Sequence, residues 1–76
     1  MKTTRYFQEQ ILAKRKYLTI EMCEAVIKNP LRKEVQSDGR IRYWGFVLEL
    51  DKILRVVVLE DGSTIHNAFM DRGFKQ

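Results

Sequence analysis

Two Asp-Gly pairs constrain this chain more than anything else in it. Asp38-Gly39 and Asp61-Gly62 each separate runs in which apolar and polar residues alternate. Tight hairpins favour this dipeptide, because the backbone enters the left-handed region there and glycine has no Cβ to clash. The second part of the chain must therefore double back as antiparallel strands. Leu50-Asp51-Lys52-Ile53 is a weaker turn between the two. Asn29-Pro30 is the other strong punctuation, since proline cannot continue a helix and restricts the residue before it. It divides the sequence into a helical first third and a β remainder.

Residues 4–15 are expected to form a helix, with Phe7, Ile11 and Leu12 on one side and Gln, Glu and Lys on the other. Lys14-Arg15-Lys16 places positive charge at its C-terminus, where the helix dipole favours it. Thr19 is the expected N-cap of a second helix over 20–28, and Leu18 with Cys23 the expected hydrophobic staple. Ile20, Cys23, Val26 and Ile27 form its buried stripe, and Asn29 is expected to end it in a left-handed cap. Strands are expected at 31–37, 40–50, 53–60 and 63–69. The fold class is α+β: two N-terminal helices packed on one face of a four-stranded antiparallel sheet. No linker, repeat or low-complexity tract divides it, so residues 1–76 read as one domain.

Strand parity predicts what each sheet face carries. With Asp51-Lys52 and Asp61-Gly62 as two-residue turns, Leu48 opposes Arg55 and Phe46 opposes Val57. Val57 then opposes His66 across the next hairpin, and Arg55 opposes Ala68. One face collects Ile41, Tyr43, Gly45, Val47, Leu54, Val56, Val58, Ile65 and Phe69, and is expected to meet the helices. The other collects Arg40, Arg42, Trp44, Phe46, Leu48, Arg55, Val57, Leu59, Thr64 and His66. An odd change in the length of the Asp51 turn would break this grouping.

Charge and composition narrow the function. Fourteen Lys and Arg against ten Asp and Glu give a net charge of +4 on 76 residues. The excess favours an anionic partner, such as nucleic acid or an acidic protein segment. The chain is too short for a cofactor-wrapping or multi-step enzyme, and no apolar run approaches the roughly 20 residues of a membrane span. The start lacks the apolar stretch of a signal peptide, so a cytoplasmic location is expected. A single cysteine, Cys23, excludes an internal disulfide, and with one histidine a transition-metal site is not expected. Cys23 fits a buried stripe rather than a nucleophile.

The second sheet face combines arginines, aromatics and the only histidine. Arginine forks bind phosphate oxygens and keep their charge. Aromatic rings stack on unpaired bases. RNA cleavage without a metal needs a proton acceptor for the 2′-hydroxyl, a proton donor for the leaving oxygen, and cations around the charged phosphorane. His66 suits proton transfer, and Arg42 and Arg55 suit the scissile phosphate. Arg40, Trp44, Lys14 and Arg15 are candidate RNA contacts. Each has a structural alternative. Trp44 and Phe46 suit packing under residues 70–76 or against a second copy, Arg40 suits the Asp38 turn, and a strand histidine suits a purely structural role.

The run from Lys16 to Pro30, with Thr19-Ile20-Glu21 opening it and Lys28-Asn29-Pro30 closing it, resembles the "I-S-x-E-x-V-E-x-v-L-x-N-P" helix of a small-domain family. That family is grouped with the RelE/ParE and BrnT plasmid-toxin superfamily. Asp38-Gly39-Arg40-Ile41-Arg42-Tyr43 resembles its "D-G-R-x-R-Y" strand. His66-Asn67-Ala68-Phe69-Met70-Asp71-Arg72-Gly73-Phe74 is similar to its "H-N-A-F-P-D-R-x-F" ending, with Met70 in place of the proline. The resemblance implies a RelE-like fold and the toxin half of a bacterial type II toxin–antitoxin pair. Such toxins are metal-independent endoribonucleases that act on mRNA, often at the ribosome, without a cofactor. ParE-like members instead inhibit gyrase. No catalytic lysine or terminal tyrosine carries over, because the lysine-rich RelE pattern is absent. Arg72 joins Arg42, Arg55 and His66 as a catalytic candidate, unless it pairs with Asp71 to pin the tail. The implied partners are RNA and an antitoxin whose acidic segment folds over the basic face. A non-catalytic basic binding protein and a homodimer are the alternatives.

Overall fold

The computed structural model describes residues 1–75. The first helix, α1, spans residues 5–14 and is wound unevenly. Phe7–Ile11 form a π turn and Leu12–Lys14 an α turn. It starts where Thr4 caps it: the Thr4 hydroxyl accepts the Phe7 N–H at 3.0 Å, and the Thr4 carbonyl accepts Gln8 N–H. Helix α2 spans Ile20–Lys28, and Thr19 is its N-cap, with the hydroxyl accepting Met22 N–H at 3.1 Å. Its end differs from the expected left-handed cap. Asn29 has φ −140°, because the residue before proline is held toward the extended region.

The sheet is antiparallel, in the order β1 (Arg32–Val35), β2 (Ile41–Val47), β3 (Lys52–Val58), β4 (Ile65–Met70). Both Asp-Gly pairs lie in hairpin loops, and their glycines take positive φ, 89° at Gly39 and 77° at Gly62. Asp61 holds its loop through Ser63 N–H, Thr64 N–H and the Thr64 hydroxyl. These bonds lower its pKa from 3.8 to about 2.

Two features of the sheet differ from the expected pairing. The turn between β2 and β3 is not Asp51-Lys52. Val47 pairs with Lys52, and Leu48 to Asp51 form a four-residue loop with Asp51 at φ 53°. Leu50 and Asp51 donate their N–H groups back to Val47 and Leu48, which favours the longer loop. Arg55 therefore opposes Trp44, not Leu48. The slip is four residues, an even number, so every side chain of β2 keeps its face. The second difference does not preserve faces. Val58 pairs with Ile65 as expected, but a bulge at Val57/Val58 makes Asn67, not His66, the partner of Val57. Beyond the bulge β4 is one residue out of step. Ala68 is buried in the core, and Phe69 opposes Arg55. Phe69 therefore leaves the apolar face to which simple alternation assigns it. Thr64, expected on the open face, is buried by its bonds to Asp61.

One core cluster joins Phe7, Ile11, Leu18, Cys23 and Val26 to Tyr43, Val47, Leu54, Val56, Val58, Ile65 and Ala68. Gly45 lies close against α2, since a Cβ there would meet the Val26 side chain at 3.1 Å. Burial pushes the Cys23 thiol up to about 12, so it is a protonated core group. The segment before α1 is tied to β4. Thr3 bridges Ile65 in parallel, Ile65 N–H donates to the Lys2 carbonyl, and Thr4 N–H donates to the Ile65 carbonyl. This tie brings the start of α1 beside His66. Among the described residues no helix is long and apolar enough to cross a membrane.

Candidate phosphate-binding pocket

The face of the sheet away from the core carries two different constructions. One is an open pocket of about 290 Å³. Four residues singled out from the sequence line it: Arg40, Arg42, Arg55 and His66. Tyr6, Gln36, Val57, Asn67 and Phe69 complete the lining. Among the described residues no carboxylate lines the pocket, and three guanidinium groups give it a positive field. Arg42 reaches Glu34 only at 4.0 Å, a carboxylate already held by Arg32 at 3.0 Å. Arg40 lies 3.9 Å from Asp38 in its own turn.

His66 is the bulged residue, and both its sides are occupied. Its Nδ1 lies 3.0 Å from the Thr4 hydroxyl, and its ring packs against Tyr6 at 5.0 Å between centroids. Partial burial and the charge of Arg40 lower its pKa below the usual 6.5. At neutral pH the imidazole is therefore uncharged and able to accept a proton. The Thr4 hydroxyl already accepts the Phe7 N–H. It keeps one lone pair for a His66 Nδ1–H, and in that tautomer the lone pair of Nε2 is free.

Arg55 connects the pocket to the second construction. Its guanidinium lies over the Phe69 ring at 4.2 Å and within 6.0 Å of the Trp44 ring. Its buried Nε has no hydrogen-bond partner among the described residues and faces Asp71 at 3.9 Å. Asp71 is fixed by the Trp44 indole N–H at 2.9 Å and by Gly73 N–H. Trp44 is only 5% exposed, stacked on Phe74 at 5.9 Å with Arg32 at 5.6 Å from its ring. Its ring packs under the tail, outside the pocket. Asp71 pins that tail through the Trp44 indole N–H, while Arg72 is exposed and is not among the pocket's described lining residues. Arg15 lies 6.0 Å from the Phe69 ring at the pocket's margin, and Lys14 is exposed on α1.

The residues that sequence reasoning missed have physical reasons. Asn67 and Phe69 reach the pocket only because of the bulge. Tyr6 reaches it through the parallel tie of the N-terminal segment, which carries no local signal. Gln36 was accessible to reasoning, because it lies across the Asp38-Gly39 hairpin from Arg40. Comparisons with protein-family models, with curated proteins and with solved structures returned no match for this chain.

Proposed function

We propose that this chain is a metal-independent endoribonuclease acting on single-stranded mRNA, the toxin half of a bacterial type II toxin–antitoxin pair. The observation that carries the ribonuclease reading is that His66 shares one pocket with Arg40, Arg42 and Arg55, with no carboxylate among the described lining residues. The toxin assignment, and with it a RelE-like packing of both helices on one sheet face, rests on the motif resemblance at residues 16–30, 38–43 and 66–74. The acidic segment of an antitoxin would cover the same arginines.

In this reading the arginines hold the scissile phosphate, Arg55 from its fixed seat on Phe69. Nε2 of His66 takes the proton of the 2′-hydroxyl. The 2′-oxygen forms a bond to phosphorus as the bond to the 5′-oxygen breaks, and the Tyr6 phenol or a water protonates the departing oxygen. The products are a 2′,3′-cyclic phosphate and a 5′-hydroxyl, so no redox partner or cofactor enters. The guanidinium groups stabilise the charge that builds on the phosphorane, each by about 2–4 kcal/mol in a site partly shielded from water.

A second reading is a non-catalytic basic protein that binds RNA or blocks a protein target. It is favoured by the pocket's single imidazole, whose ring neighbour Tyr6 is 46% exposed. One experiment separates the two: incubation of labelled single-stranded RNA with purified protein in EDTA, with end-group analysis. Cleavage to cyclic-phosphate ends that falls by about 10²–10⁴-fold in His66→Ala supports the enzyme. Full activity in both His66→Ala and Arg55→Ala sinks it. Binding without cleavage by the wild type supports the second reading. Induction in a bacterial host, with mapping of new RNA 5′ ends, then tests the toxin role.

A further inference from the structure

The groove between α2 and the end of β2 takes no part in this chemistry. Strand β1 covers β2 only as far as the Arg32–Trp44 pair. The chain beyond is therefore left bare, and Phe46 is 50% and Leu48 80% exposed. Two depressions adjoin there. One, of about 540 Å³, lies between Phe46 and Ala25, Val26, Lys28 and Asn29. The other, of about 270 Å³, lies between Phe46, Leu48 and Met22, with Glu21 and Glu49 beside them. Phe46 and Ala25 line both, so the two form one apolar groove. Large apolar side chains exposed beside a concave surface mark an interaction site.

The charges at its ends indicate the occupant. Lys28 stands at one end, and Glu21 and Glu49 stand at the other. None of the three joins an ion pair among the described residues. An apolar centre with opposite charges at its two ends is complementary to itself after a two-fold rotation, as a symmetric interface requires. We propose that this groove is the interface of a homodimer. Phe46 and Leu48 of each copy fill the groove of the other, and Lys28 of each faces Glu21 and Glu49 of the second copy. The apolar centre supplies affinity, and the charged ends fix the antiparallel register and suppress other pairings. The proposal is independent of the RNA chemistry.

Sedimentation velocity of the full chain, from micromolar to hundreds of micromolar, tests it. A dimer is expected, and Phe46→Ser or Leu48→Ser should weaken it by about a hundredfold or more while circular dichroism stays unchanged. Lys28→Glu alone and the pair Glu21→Lys with Glu49→Lys should each weaken it, and all three exchanges together should restore it. A wild type that stays monomeric at the highest concentration overturns the proposal. A dimer indifferent to both apolar variants, or charge exchanges without rescue, overturns it as well.

Discussion

Trp44 and His66 lie on the same side of the sheet, and the structure uses them in opposite ways. Around Trp44 nearly every valence is taken: the indole N–H goes to Asp71, one ring neighbour is Phe74 and another is Arg32. Around His66 the cations remain unsatisfied. Arg40 and Arg42 have carboxylates only at 3.9 and 4.0 Å, and both line open space. A satisfied cluster stabilises, whereas an unsatisfied cationic pocket is available to a ligand. Arg55 belongs to both, since its Nε faces Asp71 while its guanidinium lines the pocket.

The contrast can be broken by mutation, and the largest effect is expected at Trp44. Trp44→Ala should lower unfolding free energy by about 3–5 kcal/mol in denaturant titrations. A loss below about 1 kcal/mol would mean the tail contributes little, and that the ring is available to RNA bases after all. At the pocket the pattern should invert. Arg42→Ala should leave stability within about 0.5 kcal/mol, yet weaken binding of a non-cleavable 2′-deoxy strand and reduce the salt slope of that binding by about one unit. Stability loss without binding loss would erase the distinction between the two regions.

Gly45→Ala perturbs the core side of the sheet. The new Cβ would meet Val26 at 3.1 Å, so a cost of about 1–3 kcal/mol is expected from crowding. RNA binding by the folded fraction should be unchanged, because Gly45 lies outside the pocket lining.

The smallest effects are those of pH. His66 has a lowered folded pKa, so folding favours its neutral form. Its contribution to stability is present above the unfolded value near 6.5 and is lost as pH falls through the folded value. RNA cleavage should fall over the same acid range, and His66→Gln should remove that pH dependence of stability. Asp61 follows the same sign in a lower window. Its contribution is present above 3.8 and is lost as pH falls toward about 2. Asp61→Asn should flatten the acid limb of stability there, measured by thermal unfolding between those values.

The elements themselves were legible. Thr19 and Pro30 bound α2, both Asp-Gly pairs sit in hairpin loops, and Arg40, Arg42, Arg55 and His66 fall in one pocket. Local chemistry fixes the helix ends and the hairpins, because capping hydroxyls, proline restriction and glycine at positive φ act within a few residues. The slip of the β2–β3 turn was not legible, but parity protected the face assignment because the slip was even. The bulge had no such protection. It moved Phe69 onto the open face and Ala68 into the core, and set His66 against Thr4 and Tyr6. Only the packed molecule decides such a step, because its driving force is nonlocal. The parallel tie of residues 2–4 to Ile65 adjoins the point where β4 shifts. Residues 62 positions apart in sequence then meet at one hydrogen bond, a distance over which no local rule operates.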